Sequence, residues 1–364
     1  MANKQPEGAM ERTAAETGPP TLKTIAYMTG YSVTAVSRAL RDAPDIGAEA
    51  KERVRLVAKQ IGYRPNRAGV RLRTGKTNVI SLVLNTEEEI MSLTSEMVFG
   101  ISEALRDTPY HLVITPYSHE NDPMDPVRYV VETGSADGII LSRTELHDRR
   151  IQYLSERGMP FATHGRTDMG IDHPWHDFDN ERFAHAAVAS VASKGATRLT
   201  LIAPPANLTY ARHMKAGFAA GLREFGLEEI ASGNVTVDDS LDTIQAQVYE
   251  LMCSPRRPDS FVCGSGSAAI ATATGIEQAG LAVGTDIQLV SKEHTSILKR
   301  FRPGIEIFME DVKLAGRDLA TCVMRSIEGV PAKDLQFLSY PNAGSTGDSP
   351  SGEYHAATRT AAST

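Results

Sequence analysis

The stretch "TLKTIAYMTGYSVTAVSRAL" (Thr21–Leu40) contains two short amphipathic segments that meet at one glycine. Thr21 is a suitable helix N-cap, and apolar residues then recur at helical spacing up to Gly30, where the first helix is expected to end. Ser32 is a suitable cap for a second helix, which places Val36 on one face and polar residues on the other. Two helices joined by a short glycine-containing turn predict a helix-turn-helix.

A third helix is expected to complete a minimal core. Apolar residues recur at helical spacing from Val54 to Ile61, and Gly62 follows as a stop signal. The second helix is then supported by the other two, so that its polar face is free to enter a major groove. A simple helical hairpin with solvated polar residues is the alternative interpretation of this pattern.

The polar face of the second helix carries residue types suited to DNA. The fork of Arg38 matches guanine O6 and N7, Thr34 can meet a thymine methyl or a polar base atom, and Val33 offers apolar contact. Ser32, Ser37 and the helix N-terminus are expected to hold phosphates.

A basic segment, "YRPNRAGVRLRTGKT" (residues 63–77), follows the third helix. Leu72 lies between two arginines, a pattern that suits a minor groove entered by an apolar wedge. The letters "TGKT" resemble a phosphate-binding loop, but Val70 stands where that motif needs glycine and no strand precedes it. The segment is therefore interpreted as a DNA-contacting linker.

Charge and composition agree with a DNA-binding head on a larger body. The 364 residues are 41% hydrophobic and carry a net charge of −7, whereas residues 21–76 alone carry +8. The three cysteines are widely spaced, which indicates a reducing compartment and no disulfide scaffold. Residues 1–20 show no signal-peptide pattern and are expected to form a flexible tail, and no apolar run is long enough to span a membrane. A cytoplasmic location is expected.

These segments resemble the lactose-repressor (LacI/GalR) family of bacterial transcription regulators. The resemblance rests on "TLKTIAYMTGYSVTAVSRAL", "RVRLVAKQIGYRPN" and "LRTGKTNVISLVL", which match the family headpiece, its third helix and its hinge without gaps over about 60 residues. It implies that the second helix reads the major groove, and that "NRAGVRL" becomes a hinge helix on operator DNA with Leu72 inserted at the dyad. The predicted DNA contacts are Thr21, Leu22, Ser32, Val33, Thr34, Ser37, Arg38, Arg41, Asn66, Arg67, Leu72 and Arg73.

The sequence departs from the family pattern at four of these positions or their neighbours. Ala35 stands where threonine is usual, and Gly47 replaces the usual serine cap of the third helix. Gly69 and Val70 replace a frequent Ala-Arg pair and are poorer helix formers, which is expected to weaken the hinge helix.

The remaining chain alternates apolar strand runs with amphipathic helical segments, the pattern of parallel sheets covered on both faces. The expected fold class is a small all-α helix-turn-helix headpiece plus an α/β body with two parallel-sheet subdomains, which the resemblance identifies as type I periplasmic-binding-protein-like. The candidate strands are "VISLVL", "HLVIT", "DGIILS", "RLTLIA", "NVTV", "SFVC" and "IQLVS". The expected boundaries are 21–64 for the headpiece, 65–77 for the hinge, about 78–174 and 308–333 for the N-subdomain, about 175–307 and 334–346 for the C-subdomain, and 347–364 for a flexible tail.

A small ligand is expected in the cleft between the subdomains, at the carboxyl ends of strands. Sugar sites combine an aromatic platform with planar polar groups, and the stretch around Trp175 offers both; packing at the subdomain junction is the alternative for this tryptophan. By the resemblance, Ser265 and Gly266 replace an Asn-Asp pair, and Glu293 stands where an acid is usual. The predicted ligand-binding residues are Arg166, Trp175, Asp177, Arg212, Ser265 and Glu293.

The sequence therefore predicts a transcriptional regulator, a repressor of carbohydrate uptake or catabolism genes whose operator affinity is set by a sugar or glycoside. A homodimer on a near-palindromic operator is expected, because the tail lacks the heptads of a tetramer. No catalytic residues, metal or cofactor are expected, since no triad or metal spacing is found. The alternatives are a solute-binding protein of a transport system and a regulator that responds to a non-sugar metabolite.

Overall fold

The computed structural model describes residues 19–63, 71, 75–85, 93–118, 121–343 and 355–356. The chain falls into two compact units, residues 1–76 and residues 77–364, which we call the headpiece and the body.

Within the described headpiece, three helices follow one another: α1 (Leu22–Thr29), α2 (Val33–Leu40) and α3 (Ala48–Gln60). The Thr21 hydroxyl accepts a hydrogen bond from the Thr24 backbone N–H at 3.4 Å, and the Thr24 hydroxyl accepts one from the Thr21 N–H at 3.1 Å. The Ser32 hydroxyl accepts from the Ala35 N–H at 3.1 Å. Side-chain caps therefore start the first two helices, whereas Gly47 gives α3 none.

The headpiece core is small and formed by the inner faces of all three helices. Gly30 has a φ of +76°, the left-handed conformation that ends α1 and redirects the chain toward α2. The buried core side chains are Ile25, Val36, Ala39, Val54 and Ala58. The predicted helix-turn-helix is confirmed.

The described part of the body contains strands that assemble into two separate sheets. In chain order they are β1 (Val79–Asn85), β2 (His111–Tyr117), β3 (Gly138–Leu141), β4 (Phe161–His164), β5 (Trp175–Phe178), β6 (Arg198–Ile202), β7 (Glu228–Glu229), β8 (Ser260–Cys263), β9 (Gln288–Glu293), β10 (Ile305–Met309), β11 (Gln336–Ser339), β12 (Asn342–Ala343) and β13 (His355–Ala356).

The first sheet has the strand order β13-β11-β5-β4-β3-β1-β2, and the second has the order β12-β10-β9-β8-β6-β7. Neighbouring strands run parallel except at one edge of each sheet, where β13 and β12 are antiparallel. Apolar runs such as β3 and β8 are buried along their whole length, as expected for parallel strands covered on both faces.

Helices connect and cover the strands. They are α4 (Leu93–Leu105), α5 (Met124–Thr133), α6 (Arg149–Glu156), α7 (Asn180–Ser193), α8 (Thr209–Phe225), α9 (Leu241–Cys253), α10 (Gly266–Gln278), α11 (Ile297–Phe301) and α12 (Val312–Ile327), with a 3-10 turn at Ala332–Asp334. The first sheet with α4, α5, α6 and α12 forms the first lobe; the second sheet with α7–α11 forms the second lobe.

Glycines allow two of the helix pairs to pack backbone against backbone. A Cβ at Gly100 of α4 would lie 1.9 Å from the Lys313 carbonyl oxygen of α12, and one at Gly217 of α8 would lie 1.9 Å from the Glu181 carbonyl oxygen of α7. These contacts leave no room for any side chain, so each lobe depends on a glycine within a helix.

The chain changes lobe between residues 178 and 180, between 309 and 312, and between 339 and 342. These changes come a few residues later than expected from sequence. Residues 175–178 and 336–339 pair with each other in the first sheet, whereas they were expected in the C-subdomain, and 308–309 complete a strand of the second sheet. Residues 355–356 of the expected tail pair with β11. The candidate strand "NVTV" is irregular, because a short strand at residues 228–229 takes the sheet edge instead.

Candidate functional site

The outer face of α2 carries the residues expected to read DNA. Val33, Thr34 and Arg38 are exposed, while Val36 and Ala39 are buried on the opposite face. The core thus fixes the orientation of α2 and leaves its N-terminal turn open to a partner. An open helix face of this kind fits a major groove.

Arg38, in the last turn of α2, and Arg41, at its C-cap, have defined contacts in the headpiece. Arg38 forms an ion pair with Asp45 at 2.5 Å, and both side chains are nearly half exposed. The Arg41 Nε–H donates to the Ser37 carbonyl oxygen at 2.9 Å. Because exposed ion pairs are weak, Asp45 orients the Arg38 guanidinium without preventing it from contacting a base.

The remaining predicted DNA contacts lie at the edges of the headpiece. Thr21 is exposed at the cap of α1, and Leu22 is half-buried against the core. Ser32 is exposed and caps α2. The hinge predictions Asn66, Arg67, Leu72 and Arg73 lie outside the described residues.

A cavity of about 190 Å³ lies between the two lobes of the body. Its wall combines strand ends of both sheets with the segments that connect the lobes, as expected for an α/β fold. Residues on this wall include Ser142, Arg143, Thr144, His164, Asp177, Asn180, Tyr210, Asp238, Ser265, Gly266, Lys292, Glu293 and Glu310. Small-molecule sites usually occupy roughly 300–1,000 Å³, so this cavity lies below the common range and has room only for a small ligand.

Glu310 links the two lobes at the cavity. Its carboxylate contacts the His164 Nε2 of β4 at 3.1 Å and the Lys292 Nζ of β9 at 2.9 Å. Burial alone would raise the pKa of Glu310, but Lys292 and His164 hold it well below its usual range. Lys292 also donates to the Asn180 side-chain oxygen at 3.2 Å and lies 5.2 Å from the Tyr210 ring centre.

Glu293 is buried on the cavity wall, with 2% of its surface exposed. Its Oε2 accepts a hydrogen bond from the His294 backbone N–H at 3.3 Å, whereas its Oε1 has no hydrogen-bond partner among the described residues. Burial raises the pKa of Glu293, although backbone N–H groups and Lys292 oppose this shift. This oxygen is therefore a buried acceptor that no hydrogen bond satisfies within the described residues.

Asp177 lies at the end of β5 and also lines the cavity. Its Oδ2 is 3.1 Å from Arg166 Nε, and its Oδ1 accepts from the Phe178 N–H at 2.9 Å. Burial raises the pKa of Asp177, and the neighbouring Arg166 opposes that rise. The Arg166 guanidinium also lies 5.5 Å from the centre of the Trp175 ring.

The structure brings only some of the predicted ligand residues together. Asp177, Ser265 and Glu293 line the cavity. Trp175 is instead buried, 6% exposed, because its strand lies inside the first sheet. Arg166 and Arg212 are held outside the cavity wall by Asp177 and Asp168 respectively.

Direct contacts close the lobes over one side of the cavity. The Thr209 N–H donates to the Thr144 carbonyl oxygen at 3.0 Å, the Leu146 N–H donates to the Asn207 carbonyl oxygen at 3.1 Å, and Arg143 is ion-paired with Asp238. Opening the lobes would break these contacts.

Sequence reasoning missed the ionic part of the cavity wall, His164, Lys292, Glu310, Arg143 and Asp238. Their common signal is position, since His164 and Lys292 lie at the ends of parallel strands and Glu310 follows one directly.

Comparisons with known proteins match both the headpiece and the body. Residues 21–66 match the model described as "Bacterial regulatory proteins, lacI family", and residues 77–332 match "Periplasmic binding proteins and sugar binding domain of LacI family".

The chain belongs to the LacI family of bacterial transcriptional regulators.

Similar proteins of this family span most of the chain. The regulator AglR of Rhizobium meliloti is 32% identical over 78% of this chain and 80% of its own length. The regulator RafR of Escherichia coli is 29% identical over 91% of this chain and 99% of its own. The lac repressor dimer bound to operator and an anti-inducer shares the fold, with a TM-score of 0.74, 20% identity, and coverage of 86% and 94%.

The described part of the chain contains neither a membrane-spanning helix nor a metal-binding cluster. None of its described helices combines the length and apolarity needed to cross a membrane. Nor do three His, Cys, Asp or Glu side chains cluster closely enough, within that part of the chain, to hold a metal ion.

Proposed function

We propose that this regulator is a repressor of carbohydrate uptake or catabolism genes and that a sugar or glycoside in the body cavity controls its operator affinity. The observation that carries the proposal is the helix α2, whose buried face forms the headpiece core while Val33, Thr34 and Arg38 are exposed. Base edges in the major groove are the matching partner for such a face.

The body supports the ligand part of the proposal. Its cavity carries buried carboxylates, and Glu293 offers an acceptor oxygen without a partner among the described residues. Asp177 and Ser265 are the other proposed ligand contacts, because they line the same wall. Sugar hydroxyls are donors that such carboxylates bind well. We infer that ligand occupancy changes how the lobes close and that this change reaches the headpiece; catalysis is no part of the proposal.

We also propose that the protein acts as a homodimer in the cytoplasm, on chromosomal operators. The edge strand β2 exposes Val113 and Ile114, at 43% and 44%, and α11 exposes Ile297 and Phe301, at 51% and 80%. Exposed apolar groups on an unpaired sheet edge and on a short helix are typical of an interface. A Phe301→Glu, Ile114→Lys double variant is expected to sediment as a monomer while the wild type sediments as a dimer.

The proposed function is tested by selecting DNA from a pool of random duplexes with the full chain. The expected outcome is a near-palindromic site whose half-sites are about 10 base pairs or a multiple of that apart, as two-fold symmetry requires. Repeating the selection with Arg38→Ala should weaken enrichment at one position of each half-site. Enrichment of no site by the wild type would contradict the proposal.

A further inference from the structure

The guanidinium of Arg38, the side chain proposed to contact a base, is held by a carboxylate. Its Nη2 lies 2.5 Å from Asp45 Oδ2, and the two side chains are 47% and 45% exposed. This contact engages one nitrogen of a fork that has five N–H donors. The Asp45 carboxylate therefore lies beside the helix face that also exposes Val33 and Thr34.

The loop between α2 and α3 carries Asp45 and is tied to the end of α2. The Ala43 N–H donates to the Arg38 carbonyl oxygen at 3.1 Å, and the Ile46 N–H donates to the Ala43 carbonyl oxygen at 3.2 Å. Asp42 has a φ of +60°, a left-handed conformation that turns the chain, and Ile46 packs against the headpiece core. The backbone on both sides of Asp45 is therefore anchored.

The same loop is also fixed to α3. The Asp42 carboxylate forms ion pairs with Lys51 at 3.1 Å and with Arg55 at 2.8 Å, and the Lys51 Nζ donates to the Asp42 carbonyl oxygen at 3.2 Å. The Lys51 side chain is 16% exposed, so this anchor is largely covered. Because a preorganised group loses little freedom when it positions a partner, Asp45 can orient Arg38 at a small entropic cost.

The Asp45 carboxylate affects contacts with guanine and with phosphate differently. Guanine O6 and N7 are neutral acceptors, whereas each phosphate of the DNA backbone carries a negative charge. A contact between Arg38 and a phosphate would bring that phosphate close to Asp45, and like charges at short distance repel. A contact with guanine involves no such repulsion. Asp45 therefore favours the base contact over the phosphate contact.

We propose that Asp45 is a positioning residue that sets the specificity of Arg38, because it orients the guanidinium toward a guanine and lowers its affinity for phosphates. Asp45 acts through Arg38 and contacts no base itself. This inference rests on the proposed function, since it requires that Arg38 faces a base of the operator. It adds a means by which the headpiece rejects DNA of other sequences.

The role of Asp45 is tested by fluorescence anisotropy with the full chain and three duplexes of equal length. The first is the operator that the wild type selects. The second differs from it, in both half-sites, at the base pair where Arg38→Ala loses its preference, and the third has an unrelated sequence. In Asp45→Asn, discrimination against the second duplex should fall by about threefold per half-site, the effect that an exposed ion pair supports, and so by about tenfold in all.

The salt dependence of binding gives a second readout. If Asp45→Asn allows Arg38 to contact phosphates, the slope of log Kd against log salt on the unrelated duplex should become steeper by about one per headpiece. A purely structural role of Asp45 would leave this slope unchanged. A slope equal to that of the wild type would therefore overturn the inference.

Glu52→Gln is the matched control, because it removes one negative charge at an exposed position of α3. It should change the affinity for all three duplexes by a common factor and leave discrimination as in the wild type. If Asp45→Asn gives this same pattern, Asp45 acts only as a surface charge and the inference is wrong. In an Arg38→Ala background, Asp45→Asn should change discrimination no further; an additional loss would contradict action through Arg38.

Two further variants keep the test decisive. Asp45→Glu retains the charge and should keep the wild-type salt slope, and Asp45→Ser, a residue suited to loops, repeats the neutral substitution if Asp45→Asn fails to fold. A wild type that selects no operator would refute the proposed function. An operator that Asp45→Asn binds with wild-type selectivity would refute only the role of Asp45.

Discussion

Replacing Lys292 by methionine should destabilise the body and reveal how the lobes are joined. The change keeps most of the side-chain volume but leaves Glu310 buried with only His164 as a charged or polar side-chain partner in the described structure. Removing one member of a buried ion pair costs about 3–5 kcal/mol. Because Lys292 is 14% exposed and His164 remains, we expect the lower end, about 3 kcal/mol.

The assay is thermal unfolding of the full chain, followed by circular dichroism. For a domain of this size about 3 kcal/mol corresponds to a fall in Tm of roughly 6–12 °C. The matched variant Glu310→Gln should cost less, since Lys292 retains the Asn180 oxygen and two aromatic faces. The double variant leaves no unpaired charge, so its loss should be smaller than the sum of the single losses. Additive losses of stability, or an unchanged Tm in Lys292→Met, would contradict the proposed role of the Lys292–Glu310 pair.

The effect also has a definite pH dependence. The folded pKa of Glu310 lies well below its ordinary value of 4.5, so its stabilisation is complete above that value and is lost as the pH falls toward the folded pKa. In Lys292→Met the burial that raises this pKa is less opposed, and the buried charge is neutralised by protonation at higher pH. The Tm difference between the two proteins should therefore narrow on acidification below about pH 4.5; a constant difference would contradict the assignment.

Substitutions at Arg38, Val36 and Gly217 test the DNA-binding face, the headpiece core and the helix packing of the body. Arg38→Ala should weaken binding to a selected operator by about 1–3 kcal/mol per half-site with little effect on stability, because its pair with Asp45 is exposed; equal selectivity of mutant and wild type in anisotropy titrations would remove its role. Val36→Ala should destabilise the small headpiece core by about 2 kcal/mol and reduce operator affinity, while the melting of the body is unchanged. Operator binding equal to that of the wild type would contradict this prediction. Gly217→Ala should lower the free energy of unfolding of the body by about 1–3 kcal/mol, since its methyl would overlap the Glu181 carbonyl oxygen. An unchanged Tm would contradict this close packing.

The headpiece could be predicted because its fold follows from the short-range helical spacing of apolar residues. Ile25, Val36, Val54 and Ala58 are all buried, and each follows from helical spacing and from caps at Thr21 and Ser32. The direction in which α2 faces follows directly from which of its residues are apolar.

The strands that were missed are short and carry polar residues. The segments 161–164, 305–309 and 336–339 read FATH, IEIFM and QFLS, and four- or five-residue runs of this kind resemble loops in sequence. They become strands because neighbouring strands supply their hydrogen bonds. The lobe boundaries differ from those expected because the strands at 175–178, 305–309 and 336–339 were not predicted.

The cavity was only partly predictable, since its chemistry depends on long-range pairs. Ser265 and Glu293 follow from the family resemblance, but the contact between His164 and Glu310 joins residues 146 positions apart. Trp175 was expected at the ligand because aromatic platforms bind sugars, whereas its strand is enclosed within the first sheet. Local sequence shows which side chains are suited to a site but not which of them the sheets bring to it.

The central claim is that a ligand in the cavity controls what the headpiece does. The most direct measurement is fluorescence anisotropy of a selected operator titrated with the full chain, with and without the sugar that changes Trp175 emission. The account predicts that the sugar shifts the operator Kd of the wild type, in either direction. It also predicts that Glu293→Gln keeps operator binding but loses most of the shift, and that Arg38→Ala keeps the Trp175 response but loses operator selectivity. An operator Kd that stays the same at saturating sugar would contradict the claim.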